Sequence, residues 1–364
     1  MSQKTTQTIG DNLNIIWAIF SKDVVDALKN RVVVSMIIML TIVLLVPKLL
    51  PYIFNQTQTV LPVYVMGDSP MITGLKNTPD LIVQELHSEQ ELKLALCSAI
   101  YPEIGLVLPA DFDQVIGSGE QVEFQGFVCW SKRLQVSAVQ PKLEELLSQS
   151  LGSKVNIDVK GNIGYPPTNG VLYISLATVN SIVLILMIGM FLVPSLILEE
   201  KETKTMQALL VSPASIAQVV TGKALAGLFY ILVSAILMFL ISWMDVIHWD
   251  MVLLFVIGSG IFSVAVGLLL GSLFEKQQDL VGWMTALLLI LVGAVLIKAL
   301  GVELPTLVSR ILPWVPSVAL AEIYRAALSE TISAIQIWTN FGIVMAVSLL
   351  LYGIVIYKLQ RSDR

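Results

Sequence analysis

Residues Glu199 to Lys223 read EEKETKTMQALLVSPASIAQVVTGK and stand between two long apolar runs. The first part is charged, with Glu199, Glu200, Lys201, Glu202 and Lys204. Met206, Leu209 and Leu210 then repeat at i, i+3, i+4 and form one apolar helical face. Ser212-Pro213 punctuates the pattern, because serine is a favoured N-cap and proline is tolerated at the first helical position. A new helix is expected to start there and to run through Ile216, Val219 and Val220 into the next apolar run. The stretch reads as a short amphipathic lever with a fixed elbow at a membrane surface.

The composition supports a membrane setting. The chain has 364 residues, of which 55% are hydrophobic and 13% charged, whereas roughly 25% charged residues is usual in a soluble domain. Six apolar runs are long enough to cross the hydrocarbon as helices: Val32 to Leu50, Val171 to Leu198, Ala224 to Trp243, Met251 to Phe274, Leu280 to Leu300 and Trp338 to Tyr357. Basic residues set the orientation. Lys22, Lys29 and Arg31 precede the first run, Lys201, Lys204 and Lys223 follow the second, Lys276 follows the fourth, and Lys358, Arg361 and Arg364 follow the sixth. Those segments are expected in the cytosol, both termini included. The connection Ser242 to Asp250 has no Lys or Arg and suits the opposite side.

The mostly polar or amphipathic stretch ahead of the first run makes that run a signal anchor rather than a cleaved signal peptide. Within it Leu13, Ile16, Trp17, Phe20, Val24, Ala27 and Leu28 share one helical face, which suits a helix lying in the inner interface. The alternative is a helix packed on another protein.

Residues Tyr52 to Tyr165 have ordinary soluble composition and read as a folded extracytoplasmic domain. Strand-like runs (Val60 to Met66, Leu81 to Leu86, Ile104 to Leu108, Val122 to Val128, Val155 to Val159) alternate with helix-like ones (Glu89 to Ile100, Gln135 to Leu151). The expected fold is therefore an α-helical integral membrane protein of six transmembrane helices with an inserted α/β (α+β) extracytoplasmic domain at residues 51–166. Thirteen acids against seven bases give that domain a net charge of −6, which argues against a nucleic-acid partner. Cys97 and Cys129, the only cysteines, both fall here. A disulfide is open to them in an oxidising exterior, and two buried thiols are equally compatible with their apolar flanks.

Chemistry-bearing motifs are sparse. His87 and His248 lie in separate regions, and Asp245, His248 and Asp250 form a set more typical of a wet turn than of a metal site. Gly222-Lys223 resembles the end of a phosphate loop, but Ala224 replaces the required Ser/Thr and Ala217 the first Gly, so Lys223 reads as an inner-interface anchor. The apolar runs hold few ionisable residues, unlike ion-coupled carriers. Their polar members Thr178, Asn180, Ser181, Ser259 and Ser263 are the candidate pathway lining, and Gly267 and Gly271 form a close-packing pair.

Glu200, Glu202, Thr205, Leu209, Leu210, Ser212, Pro213, Gly222 and Lys223 resemble the E-x-E-x-G-T-x-x-x-L-L-x-[ST]-P…G-K segment of type-2 ABC transporter permeases. The layout is similar to the exporter branch with a large extracytoplasmic insertion. Lys204 stands where that family usually has Gly, and Met206-Gln207 occupies a place often acidic. The resemblance implies that residues 199–213 include a coupling helix docking on a separate ATPase subunit, with ATP and Mg bound there and no cofactor on this chain. It implies a plasma-membrane permease working with a second protomer, identical or related. Leu304 to Leu328, broken by Pro305, Pro313 and Pro316, looks like the family's re-entrant hairpin, and Glu322 and Arg325 are spaced to pair within it. The rival classes are a membrane-anchored receptor or scaffold, and a membrane-embedded enzyme for which nucleophile and metal motifs are missing.

Overall fold

The computed structural model describes residues 9–29, 34–35, 38, 42, 59–66, 70–76, 78, 81–99, 103–109, 116, 122–159, 161–165, 172–202, 215–243, 246–300, 304–329 and 333–362. It opens with helix α1 (Ile9–Lys29). The expected first membrane run falls almost wholly outside the described residues.

Next comes an α/β unit, in the order β1 (Thr59–Val65), α2 (Pro70–Lys76), β2 (Leu81–Leu86), α3 (Glu89–Ser98), β3 (Gly105–Leu108), β4 (Val122–Cys129), α4 (Val136–Leu151), β5 (Val155–Asp158) and β6 (Ile163–Gly164). The sheet order is β2-β1-β3-β4-β5, with β6 on β4. β1 runs parallel to β2 and β3, and β4 parallel to β5 and β6, while β3 and β4 are antiparallel. Parallel neighbours need crossovers, supplied by α2, α3 and α4.

Alternate side chains leave opposite faces of a strand, so each face takes its own helices. Leu61, Val63, Leu106, Phe124 and Ile157 join Ile72 and Leu75 of α2 and Leu143 and Leu147 of α4. Val107 and Phe127 pack instead with Leu92 and Leu96 of α3. Gly105 permits that approach, because a Cβ there would lie 2.7 Å from Leu92 Cδ1. α3 is capped by Ser88, whose Oγ accepts from Glu91 N at 3.1 Å.

The helical part consists of α5 (Leu172–Glu202), α6 (Ile216–Ser242), α7 (Trp249–Leu273), α8 (Gln277–Ala299), α9 (Thr306–Ile311), α10 (Pro316–Ala327) and α11 (Ala334–Ser362). Among the described residues five helices are long and apolar enough to cross a bilayer, and α9 with α10 forms a bent pair that would make a sixth. The apolar core of α5 is 78% buried within the chain, against 22% for α8 and α11, so α5 is central and the other two are peripheral. Exposed Leu232, Ile236 and Leu240 of α6, Leu289 and Ile290 of α8, and Leu349 and Leu350 of α11 form outward apolar faces. Such faces carry no penalty against lipid tails.

Close contact of α5 with α7 rests on small residues. A Cβ at Gly267 would lie 2.4 Å from Gly189 O, and one at Gly271 would lie 2.8 Å from Ile197 Cδ1. The Gly267/Gly271 pair noted in the sequence therefore marks a backbone contact between these helices. At the far end of α7, Lys358 Nζ of α11 donates to Ser272 O at 2.8 Å.

Candidate functional site

The charged lever is continuous with α5, which stays helical through Glu199, Glu200, Lys201 and Glu202. Thr205, Met206, Leu209, Leu210, Ser212 and Pro213 lie outside the described residues. The next helix is capped later than Ser212-Pro213 suggested. α6 starts at Ile216, where Ser215 Oγ accepts from Gln218 N at 3.3 Å and Gln218 Oε1 accepts from Ser215 N at 2.6 Å. This reciprocal capping box satisfies two end donors at once. Its signature, a serine with glutamine three residues on, is present in the sequence and outweighs the Ser-Pro pair.

The beginning of α6 is bonded to α1. Gln218 Nε2 donates to Asn12 Oδ1 at 2.6 Å, Lys223 Nζ meets Asp23 Oδ2 at 3.3 Å, and the Tyr230 hydroxyl donates to Val24 O. Gly222 lets α1 close in, since a Cβ there would fall 2.7 Å from Ile19 Cγ2. The expectation for Lys223 is thereby corrected. It is not an anchor reaching to the interface but a buried cation, 2% exposed, held by a carboxylate that is itself 4% exposed. Removing a charge from water is tolerated only with such a partner. α1 splits the apolar set read from its sequence: Leu13 and Trp17 are exposed, Ile16 and Phe20 are part-buried, and Val24 packs against the helical core.

The proline-rich stretch forms α9, a tight turn at Leu312–Trp314 containing Pro313, and α10 beginning at Pro316, with a bend of 71° between the two halves. Proline cannot donate within a helix, but at the first turn of α10 its missing N–H is harmless. Ser317 Oγ donates to Leu291 O at 2.7 Å and fixes α10 to α8. Arg325 Nη1 meets Glu322 Oε1 at 3.3 Å, and Lys298 Nζ of α8 reaches the same oxygen at 3.0 Å. The spacing of Glu322 and Arg325 pointed to their pairing, while Lys298 comes from another helix and gave no local signal.

At the end of α10, Ala327 O accepts from both Ile247 N at 2.9 Å and His248 N at 3.0 Å. Trp130 Nε1, directly after β4 of the sheet unit, donates to the neighbouring Val246 O at 3.3 Å. The α6–α7 turn thus joins the sheet to the bent pair. Asp250 is exposed in the first turn of α7, and Asp245 lies outside the described residues.

Of the candidate pathway residues, Thr178, Ser181, Ser259 and Ser263 are buried and Asn180 is half-buried. Ser259 Oγ donates to Phe255 O at 2.5 Å and Ser263 Oγ to Gly260 O at 3.2 Å. Ser263 fills the hollow opposite Gly189, where a Cβ would lie 2.4 Å from its Oγ. The Ser259 and Ser263 hydroxyls thus turn their donors back on their own helix.

Cys97 of α3 and Cys129 of β4 are joined by a disulfide with Cα atoms 5.1 Å apart. Nearby, Glu103 is pushed up to about 7 by burial, which the positive charge of Lys132 partly opposes. Lys132 Nζ donates to Ala99 O.

Residues 31–357 match a family model described as ABC-2 family transporter protein. No curated protein matches the chain.

Proposed function

Because this chain belongs to the ABC-2 family of transporter proteins, and is thus a transmembrane subunit of an ABC transporter, we propose that it serves an exporter. Its pathway forms with a second permease protomer, identical or related, and separate ATPase subunits carrying ATP and Mg drive it. The family match over residues 31–357 carries this reading.

The distribution of charge supports an orientation. Lys201 lies in the last turn of α5, Lys223 near the start of α6, Lys276 just before α8 and Lys358 near the end of α11. These ends form the cytosolic side, with both termini there and the protein in the plasma membrane. The sheet unit lies outside the cell, where a disulfide persists.

An ATPase docks on residues 199–213. Force there passes into α5 through its helical extension to Glu202, and into α6 through its capped start at Ser215. α6 carries α1 along through Gln218, Lys223 and Tyr230. Thr178, Asn180, Ser181, Ser259 and Ser263 become pathway lining when the packing of α5 on α7 changes. The bent pair α9–α10, with Pro313 and Pro316, is a re-entrant hairpin at the outer side.

The test is purification in mild detergent with whatever ATPase accompanies the chain, alongside Glu200→Lys plus Glu202→Lys. Loss of a stoichiometric ATPase from a folded double variant is the expected result. Unchanged association and transport in that variant would overturn the docking role. A preparation that never contains an ATPase would move the reading to a membrane receptor or scaffold using the sheet unit.

A further inference from the structure

Among the described residues at α10, two cations share one carboxylate. Glu322 Oε1 faces both Lys298 Nζ at 3.0 Å and Arg325 Nη1 at 3.3 Å. Exposure grades across them: the Arg325 side chain is 7% exposed, Glu322 16% and Lys298 32%. A guanidinium offers donors on more than one edge. In Arg325 the Nη1 side is engaged with Glu322, while Nε is buried with no hydrogen-bond partner. A buried charged donor without an acceptor is strongly unfavourable, and such a group in a native fold calls for a cause, an ion among them. Two more buried polar atoms without partners, Ser329 Oγ and His248 Nε2, belong to the same end of α10, where His248 N donates to Ala327 O at 3.0 Å.

We propose that Lys298, Glu322 and Arg325 form a binding site for a phosphate group, presented by a lipid headgroup or as free phosphate. Arg325 supplies its Nε edge, the planar arrangement of donors that suits a phosphate. Lys298 supplies a second charge on a flexible stem from the more open side. Glu322 holds the two cations apart and leaves one net positive charge for the ligand. Lys298 occupies the last turn of α8, beside exposed Ile297 and Leu300. Lys298 and Arg325 come from two different helices at the end of a membrane-crossing segment, the level at which a bilayer carries its polar headgroups. That position favours phosphate over a carboxylate ligand.

No ATPase enters the test, so its outcome is independent of the coupling reading. The full chain is purified in dodecyl maltoside in phosphate-free buffer. It is titrated with dioctanoyl phosphatidylglycerol, with dioctanoylglycerol as the phosphate-free control, and separately with inorganic phosphate. Binding is followed by thermal unfolding and tryptophan fluorescence. Wild type should respond saturably to a phosphate-bearing probe and not to dioctanoylglycerol, and Arg325→Lys and Lys298→Met should each weaken that response about tenfold or more, since both lose donors the site needs. A response to the lipid alone assigns a headgroup, and a response to inorganic phosphate as well assigns the phosphate itself as sufficient. Absence of a saturable response, an equal response to dioctanoylglycerol, or unchanged affinity in the variants would overturn the site. If Arg325→Lys does not fold, Lys298→Met on the exposed side decides.

Discussion

Asp23 and Lys223 stand 200 positions apart in the chain and meet at 3.3 Å with almost no solvent on either side chain. Removing one half of a buried ion pair typically costs on the order of 3–5 kcal/mol. Asp23→Asn is therefore expected to lower the unfolding midpoint sharply. Asp23→Leu combined with Lys223→Met should recover most of the loss, because the apolar pair needs no desolvation. Thermal unfolding of Asp23→Leu, Lys223→Met and the double variant in one detergent checks this. Additive losses would show that the two groups do not act as a pair.

Gly267 and Gly282 are both helical, yet they should respond oppositely to alanine. A Cβ at Gly267 would meet Gly189 O at 2.4 Å, whereas nothing lies within 4 Å of one at Gly282. Gly267→Ala forces α5 and α7 apart at a cost of about 1–3 kcal/mol. Gly282→Ala should be neutral or gain up to about 1 kcal/mol from helix propensity. The comparison is read from unfolding midpoints, and equal effects would contradict the close approach.

The Cys97–Cys129 bridge spans a sequence separation of 32. Closing a loop of that size restricts the unfolded chain and stabilises by about 2–4 kcal/mol. Replacing both cysteines by serine should speed proteolysis of the sheet unit while α6 to α8 keep their helical signal. Mass spectrometry of alkylated protein before and after reduction reports the bridge directly.

Glu103 predicts a pH dependence. Its carboxyl is raised from 4.5 to about 7 in the folded chain by burial, against the opposing pull of Lys132. The fold then holds its proton more tightly than the unfolded chain does, so stability falls as pH rises between those values. Glu103→Gln keeps a neutral group throughout. The variant should be more protected than wild type at about pH 8, and the difference should shrink towards about pH 5, as linkage requires. Hydrogen exchange of β3 amides, corrected for intrinsic rates, measures this. A difference that does not change with pH would sink it.

Local patterns in the sequence reached some of this architecture and stopped where partners came from afar. β2 occupies Leu81–Leu86, the run its apolar and polar residues outlined, and α4 begins one residue from the expected start. α2 and β6, with seven and two residues, are too short to show a period. Ser215 was legible through Gln218, but Ser212-Pro213 offered a competing start. Lys223 looked like an interfacial base because nothing within a few turns announces Asp23. Glu322 and Arg325 share one helix and could be paired by spacing, whereas Lys298 joins them only when α8 and α10 pack together. For Cys97 and Cys129, two apolar flanks allowed a bridge or two thiols, and the juxtaposition of α3 with β4 decides between them.

The bonds between α1 and the start of α6 also impose an order on biosynthesis. Asn12 and Val24 each find their partners 206 residues later. A ribosome making this chain releases α1 long before Gln218 and Tyr230 exist, and it must also complete the sheet unit and α5 in the interval. During that time Asp23 has no Lys223 to meet, while Leu13 and Trp17 on the outward face wait on neither partner. Seating of α1 is therefore a late event in the maturation of the protein, although α1 is made before the sheet unit, α5 and α6.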